Sequence, residues 1–329
     1  MQVGVGSPAT DYTLLIDTGS SNTWVGADKK YAKTSTSKDT GRTIQVSYGS
    51  GSFSGEEYTD KVTLGDGLAI EQQGIGVSRT AQGFDGVDGI LGIGPVDLTE
   101  GTVKGGAPVP TITDNLFSQG TIPTESIGIS YNPTTGSGSA TSLMNGELTF
   151  GGTDSSKFTG EITYVPITST SPASAYWGID QSITYGNSRT PILNTTAGIV
   201  DTGTTLLYLA TDAFKAYQQA TGATLDQATG LLKLSSREFS NLQSLFFHMG
   251  GTTFEWTPNA QIWPRSLNSQ LGGDEDSIYL VAADNGTNSG QGLDFINGFV
   301  WLQRFYTVFD TTNSRIGIAT TEFTDVETN

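Results

Sequence analysis

Cysteine is absent from all 329 residues of the chain. Disulfide bonds, thiol nucleophiles and cysteine-ligated metals are therefore excluded, and the fold must be stabilised by core packing. Histidine is nearly absent too, because His248 is the single copy. One imidazole cannot build a metal site with several histidine ligands, so we expect His248 to be structural, on a strand that ends in a turn.

Charged residues and long apolar runs are also scarce. Charged residues make up 15% of the chain, and 33 acidic residues against 16 basic ones give a net charge of -17. Such a surface repels phosphate groups, so neither nucleic acid nor a membrane surface is an expected partner. The acidity also suits an acidic medium, although solubility at neutral pH explains it equally well. No apolar run approaches the roughly 18 residues of a membrane span, and an exported form would have lost its leader.

The chain is instead rich in glycine, with 43 residues, and in serine and threonine. This composition favours short strands joined by turns, and therefore an all-β fold. The length exceeds one compact core, which predicts two lobes of roughly 150 residues each. Short helices are predicted at 111–119, at 211–221 and from Ser236, the last with Ser235 and Glu238 spaced as a capping box.

The division between the lobes is predicted near the middle of the chain. Small polar residues predict an exposed loop at 133–142. The segment 145–167 has the pattern of a hairpin that leads into a crossing strand. We therefore expect an N-terminal lobe of residues 1–160 and a C-terminal lobe of residues 161–329.

One motif occurs twice. Residues 14–21 read LLIDTGSS and residues 198–205 read GIVDTGTT, so an aspartate follows an apolar run and precedes a Thr-Gly turn in each half. Each half later carries an apolar segment that ends in glycine, at Gly92 and at Gly298. This arrangement indicates an internal duplication.

A buried carboxylate must either be protonated or be surrounded by hydrogen-bond donors. Here the turns offer backbone N–H groups and the hydroxyls of Ser20 and Thr204, while Gly19 and Gly203 permit a sharp turn. If the two turns face each other across a pseudo-twofold axis, their carboxylates share one proton. The ionised member can then take a proton from water while the protonated member polarises a peptide carbonyl. A single Asp-Thr-Gly would more often cap its own turn, but two copies favour catalysis.

Six ordered blocks of sequence extend the pattern along the chain: GVGSPATDYTLLIDTGSSNTWV, VSYGSGSFSGEEYTDKV, DGILGIGP, YWGI, AGIVDTGTTLLYL and RFYTVFDTTNSRIGIA. With these blocks the chain resembles the pepsin-type aspartic endopeptidases. In TDNLFSQGTIP and DFING it is similar to the secreted fungal polyporopepsin type.

The resemblance implies a bilobal, pepsin-like β fold with a central cleft, and an acid endopeptidase in which Asp17 and Asp201 act jointly. It implies polypeptide substrates, inhibition by statine-type (pepstatin-like) compounds, secretion and a monomeric state. No cofactor and no metal are expected.

The resemblance also implies roles for the residues around the two aspartates. SYGSGS corresponds to a β-hairpin flap, and the sequence agrees, because apolar residues alternate into a Gly-Ser-Gly turn. Residues expected to support the aspartates are Thr18, Ser20, Thr202 and Trp24, the last bracing the flap tyrosine. Residues expected to contact substrate are Tyr48, Gly49, Ser50, Gly19, Gly203, Thr204, Thr205, Leu15 and Ile90.

Specificity follows from the same residues. Leu15, Ile90 and the ring of Tyr48 suggest an apolar pocket, and hence a preference for hydrophobic or aromatic side chains beside the scissile bond. Some fungal relatives place an aspartate at the flap tip and accept lysine. The tip residue here is Ser50, which predicts weak cleavage after lysine.

Two departures from the family pattern stand out. An N-terminal strand that family members place before the first turn is expected to be missing from this sequence. The second apolar segment reads Ile296-Asn297-Gly298, with a polar residue where the broader family has an aliphatic one. The sequence therefore does not predict how Asn297 packs.

Two other functions remain as alternatives. A catalytically silent pepsin-like binding protein or inhibitor would use the cleft for recognition, but such proteins generally lose an aspartate or distort a turn. A glycoside hydrolase with two carboxylates would need an aromatic-lined groove, whereas the five tryptophans are scattered along the chain.

Overall fold

The computed structural model describes residues 1–65, 67–134 and 145–328. Strands prevail over helices in these residues, so the predicted all-β class is confirmed. The predicted exposed loop at 133–142 lies largely outside the described residues. The chain forms two compact units, Met1–Ser126 with Phe150–Gly152, and Ile127–Thr149 with Thr153–Asn329.

The first unit is built on one large sheet. Its strands are β1 Gln2–Val5, β2 Thr10–Asp17, β3 Trp24–Val25, β4 Lys38–Ser47, β5 Ser52–Gly65, β6 Leu68–Gln82 and β7 Gly89–Gly92. They lie in the order β1-β2-β7-β3-β6-β5-β4, and β1 also pairs with β5. The sheet therefore curls back on itself, and β2 and β7 run parallel at its centre.

Helix α1, Ile112–Ser118, packs on this sheet and confirms the helix predicted at 111–119. Its first turn is capped reciprocally. The Thr111 hydroxyl accepts a hydrogen bond from the Asp114 backbone N–H at 3.2 Å, and the Asp114 carboxylate accepts one from the Thr111 N–H at 2.7 Å. The apolar face of the helix buries Ile112 and Leu116.

The remaining strands lie in the second unit, apart from two residues at strand ends. These are β8 Ser126–Tyr131, β9 Gly146–Phe150, β10 Thr159–Pro166, β11 Gly178–Tyr185, β12 Thr190–Val200, β13 Leu207–Leu209, β14 Thr224–Leu225, β15 Leu232–Leu234, β16 Leu245–Met249, β17 Thr252–Trp256, β18 Ile278–Tyr279, β19 Ala282–Asp284, β20 Phe295–Asn297, β21 Phe305–Asp310 and β22 Arg315–Thr320. They form sheets in the orders β10-β22-β21-β8-β9, β17-β16-β11-β12-β20-β13-β19 and β14-β15-β18. Ser126 of β8 and Phe150 of β9 belong to the first unit.

The hairpin predicted within 145–167 is wrong, because β9 and β10 lie at opposite edges of their sheet. Strand β10 pairs with β22, which follows it by about half the chain, and such a long-range partner leaves no local signal. The lobe boundary near Gly160 stays a prediction. Gly160 itself lies in β10.

The second unit also contains helices α2 Thr211–Thr221, α3 Ser236–Phe239 and α4 Phe299–Leu302. The predicted span of α2 is confirmed, and Gly222 ends it in a left-handed conformation with φ of 73°. The predicted capping box of α3 is confirmed as well, although this helix has only four residues. Helix α4 was not predicted, because its FVWL sequence is wholly apolar and Gly298 offers no side-chain cap.

Aromatic side chains fill the core of each unit. In the first unit, Trp24 stacks on Phe53 with ring centroids 4.2 Å apart, and both are fully buried. In the second, Trp301 of α4 lies 4.6 Å from Phe305 and 5.8 Å from Phe247, between centroids. These contacts fix β3 and α4, which flank the two Asp-Thr-Gly turns. None of the helices in the described residues is long and apolar enough to cross a membrane.

Candidate active site

Asp17 is the last residue of β2 and is held by its own turn. Its side chain is 6% exposed. The Gly19 backbone N–H donates to its Oδ1 at 2.9 Å, and the Ser20 hydroxyl donates to its Oδ2 at 2.5 Å. Each carboxylate oxygen therefore has a donor, which offsets the cost of burial.

Asp201 follows β12 and repeats this arrangement in the second unit. It is 8% exposed. The Gly203 N–H donates to its Oδ1 at 2.8 Å and the Thr204 hydroxyl donates to its Oδ2 at 2.5 Å. The duplicated sequence motif thus folds into the same local site twice, atom for atom.

The glycines that end the two later apolar segments have a steric reason. A Cβ atom on Gly92 would lie 2.6 Å from the backbone nitrogen and oxygen of Asn22. A Cβ atom on Gly298 would lie 2.3 Å from the Leu206 oxygen and 2.6 Å from the Thr204 oxygen. Both glycines therefore let a strand end pack directly against the backbone of the turn that carries the aspartate.

The other predicted residues of the turns differ in exposure. Thr18 and Thr202 are buried beside the aspartates. Gly203 and Thr205 are exposed, and Gly19 is half-buried. The exposed residues can reach a ligand, whereas the buried threonines can only support the turns.

The predicted hairpin around Tyr48 is confirmed. Strands β4 and β5 pair up to Ser47 opposite Ser52, and the Tyr48 N–H donates to the Gly51 carbonyl at 2.7 Å to close the turn. Gly49 and Ser50 therefore lie at the exposed end of the hairpin.

Tyr48 is linked to the aspartate of the same unit. The Trp24 indole N–H donates to the Tyr48 hydroxyl at 2.9 Å. Burial raises the pKa of Tyr48, the negative charge of Asp17 raises it further, and hydrogen bonds with Trp24 and Ser20 offset part of this effect. The phenol therefore stays protonated, and it connects the hairpin to Ser20 and so to Asp17.

Phe84 is a member of this group that sequence reasoning missed. Its ring packs edge-to-face with the rings of Tyr48 and Trp24, at centroid distances of 5.3 Å and 4.9 Å. A phenylalanine in QGFDG offers no pattern that would mark it, because its contacts come from other strands.

Leu15 and Ile90 lie opposite each other on β2 and β7. Leu15 is 39% exposed, so its side chain is available to a ligand. Ile90 is 1% exposed and belongs to the buried cluster on which Tyr48 packs. Leu15 can therefore contact a ligand directly, whereas Ile90 is buried beneath the surface.

The structure also accounts for Asn297. Its amide and that of Gln181 exchange two hydrogen bonds, from Gln181 Nε2 to Asn297 Oδ1 at 3.0 Å and from Asn297 Nδ2 to Gln181 Oε1 at 2.9 Å. Both side chains are fully buried. The sequence marked Asn297 as unusual, but nothing marked Gln181, because its partner is 116 residues away.

His248 makes local contacts on its sheet. Its Nε2 lies 2.9 Å from the Thr184 hydroxyl and its Nδ1 lies 2.9 Å from the Thr253 hydroxyl. Burial lowers the pKa of His248, and the positive charge of Arg189 lowers it further. Among the described residues, no group of three or more His, Asp or Glu side chains is placed to hold a metal ion.

Comparison with known proteins agrees with this geometry. The profile of the eukaryotic aspartyl protease family matches residues 1–321. Polyporopepsin of Irpex lacteus is 63% identical over 331 residues, covering 100% of this chain and 96% of that protein. Pepsin A of Sus scrofa is 31% identical, and the match covers 96% of this chain and 80% of that protein.

A solved structure shows the same fold. The crystal structure of the aspartic proteinase from Irpex lacteus superposes with a TM-score of 0.96 at 64% identity, covering 100% of this chain and 95% of that one. The predicted pepsin-like fold class is therefore confirmed. With the family profile matched over nearly its full length, the chain belongs to the eukaryotic aspartyl protease family and is an aspartic endopeptidase.

Proposed function

We propose that the protein is an acid endopeptidase in which Asp17 and Asp201 share one proton and activate a water molecule for attack on a peptide bond. One observation carries this proposal. Both aspartates are buried, and each accepts one hydrogen bond from a turn N–H and one from a turn hydroxyl. Donors fixed in this way hold each carboxyl group in place and need no rearrangement during the reaction.

The reaction needs one proton on the pair. The ionised carboxylate takes a proton from water while the water oxygen bonds to the peptide carbonyl carbon. The protonated carboxyl gives its proton to the carbonyl oxygen, which yields a tetrahedral diol. In the second step the protonated carboxyl gives its proton to the amide nitrogen while the ionised carboxylate takes one from a hydroxyl of the diol. The C–N bond breaks, the products are a carboxylic acid and an amine, and the pair again holds one proton. No covalent bond to the enzyme forms at any step.

The substrate binds as an extended strand. The carbonyls of Gly19 and Gly203, the exposed Thr205 and the N–H groups of Gly49 and Ser50 provide main-chain partners. Such contacts bind many sequences, so side-chain choice falls to the pocket beside the scissile bond. Leu15 and the ring of Tyr48 make this pocket apolar, with Ile90 behind them.

We further propose that the protein is secreted, acts as a monomer and binds statine-type inhibitors, which mimic the tetrahedral diol. A silent binding protein is the alternative function. The bonding of both aspartates speaks against it, because a protein that only binds has no need to keep two equivalent donor sets.

Cleavage of a peptide library tests the proposal. At about pH 3 to 5, we expect cuts between hydrophobic or aromatic residues, little cleavage after lysine, and inhibition by a statine-type compound. Ser50→Asp should raise cleavage after lysine and leave other cuts unchanged. Binding of the inhibitor without any cleavage would favour the silent protein, and cleavage that the inhibitor does not affect would contradict the mechanism.

A further inference from the structure

The two repeats differ directly beneath their aspartates. In the first unit, the residue before Gly92 is Leu91, which is fully buried opposite Ile16 of β2. In the second unit, the residue before Gly298 is Asn297, fully buried opposite Val200 of β12. An aliphatic contact in one repeat is thus replaced by a buried amide in the other.

Asn297 holds both ends of the second turn. On one side it pairs with Val200, and the Asp201 N–H donates to its carbonyl at 3.1 Å. On the other side it pairs with Leu207, the first residue of β13. The turn from 201 to 206 therefore enters and leaves the sheet beside this one residue.

The amide of Asn297 ties this point to a third strand. Gln181 lies on β11, and β12 runs between β11 and β20. The two hydrogen bonds of the amide pair thus link the strands on either side of β12, the strand that leads into Asp201. Each amide supplies one donor and one acceptor, and a shift of either strand would break both bonds.

We propose that the Gln181–Asn297 pair is a positioning device that fixes the register of β20 against β12 and thereby the backbone of Asp201. An aliphatic contact tolerates a slide, whereas a reciprocal pair of buried hydrogen bonds does not. Asn297 and Gln181 are positioning residues, because the carboxylate of Asp201 takes its own hydrogen bonds from Gly203 and Thr204. The inference rests on the proposed catalytic role of Asp201.

The test compares single and double replacement of the amides. Asn297→Leu copies the first repeat but leaves Gln181 buried without its partner, so this variant should lose stability. The double variant Gln181→Met with Asn297→Leu removes both polar groups, so stability should return. We expect kcat of the folded double variant to stay about 10- to 100-fold low, with KM within about twofold. Full recovery of kcat with stability would overturn the proposal.

A second variant keeps the test decisive if the double variant does not fold. In Asn297→Asp, a protonated carboxyl can donate to Gln181 Oε1 and accept from its Nε2, as the amide does. We expect near-normal kcat in acid and a fall in kcat, relative to the parent, as pH rises and the buried carboxyl ionises. A kcat profile that parallels the parent throughout the folded range would contradict the proposal.

A matched control and a reference variant separate the possible failures. Gln73 is 1% exposed and accepts from Asn115 Nδ2 at 2.7 Å, so it is a buried amide with an amide partner that does not flank either turn. Gln73→Met should lower stability without changing kcat. If Asp201→Asn retains activity, the proposed function fails. If Asp201→Asn is inactive but the double variant is fully active, the positioning role alone fails.

Discussion

At the level of single residues, the Asp-Thr-Gly turns could be predicted in detail from the sequence. The buried aspartate, the glycine N–H and the neighbouring hydroxyl are local, so four consecutive letters describe their hydrogen bonds. Asn297 shows where such reasoning ends. Its polarity was visible, but the Gln181 amide that satisfies it is distant in sequence and has no local mark.

The close approach at Gly298 predicts a strict requirement for glycine. In Gly298→Ala, the new methyl group would overlap two backbone oxygens that belong to the turn of Asp201. We expect a stability loss of about 1–3 kcal/mol or more, with strongly reduced kcat. Denaturant unfolding and peptide hydrolysis measure both effects. Gly152→Ala is the control, because a Cβ atom there has nothing within 4 Å, and equal losses in the two variants would refute the explanation.

The hydrogen bond from Trp24 to Tyr48 predicts coupling between these residues. Trp24→Phe keeps an aromatic ring against Phe53 but removes the N–H donor. We expect kcat/KM to fall roughly two- to twelvefold, which corresponds to a loss of about 0.5–1.5 kcal/mol of transition-state stabilisation, as for a lost neutral hydrogen bond. Tyr48→Phe should cause a similar loss, and the double variant should lose little more. Additive losses would show that the bond does not hold the hairpin.

At the level of secondary-structure elements, prediction succeeded where the signal was local and failed where it was not. The spans of α1 and α2 follow from caps and helical spacing within the segment. Helix α4 forms because Trp301 packs on residues from other strands. Strand β10 likewise takes its place from β22. Neither contact can be read from neighbouring letters.

The irregular segment between β3 and β4 has no disulfide to fix it, and the buried carboxylate of Asp60 serves that purpose. Asp60 is fully buried and accepts from the Tyr31 hydroxyl at 2.6 Å, the Thr36 hydroxyl at 2.6 Å and the Ser37 hydroxyl at 2.7 Å. Burial alone would raise the pKa of Asp60. The hydrogen bonds from these hydroxyls and from the Lys61 N–H outweigh burial and hold the pKa below its ordinary value.

Asp60→Asn should therefore destabilise the first unit in a pH-dependent way. Because the pKa of Asp60 is lower in the folded chain, its ionised form stabilises the fold at pH values above its unfolded pKa of about 4. This stabilisation is lost as the pH falls through the folded pKa. We expect a loss of about 1–3 kcal/mol near pH 6 that shrinks below about pH 4. Unfolding in urea across this range measures it. The exposed Asp85→Asn is the control, and a difference independent of pH would contradict the ionised cluster.

At the level of the whole molecule, the net charge and one pair of carboxyl groups both make the folded state more stable at acidic pH. The net charge of -17 at neutral pH makes the compact state repel itself, and protonation relieves this repulsion. Burial, a hydrogen bond with Asp114 and the charge of Asp114 together raise the pKa of Glu125 to about 7. Asp114 also caps α1, so this pair lies at the N-terminus of that helix.

A raised pKa predicts a loss of stability as pH rises. Between about 4.5, the ordinary value for Glu125, and about 7, the unfolded chain releases this proton before the folded chain does. The free energy of unfolding should fall through this window, and Glu125→Gln should remove part of the fall. Melting temperatures from pH 4 to 8 measure the effect. If the variant and the parent lose stability in parallel, Glu125 does not contribute.

The proposed joint action of Asp17 and Asp201 is tested most directly by the hydrolysis rates of Asp17→Asn and Asp201→Asn. Each variant should fold, bind substrate and lose at least about 10³-fold in kcat at about pH 3 to 5, because one carboxyl cannot be both base and acid. Asp276→Asn, at an exposed aspartate of the second unit, should keep full activity. Loss of hydrolysis in both variants is the predicted result, and sustained hydrolysis in either one would contradict the account.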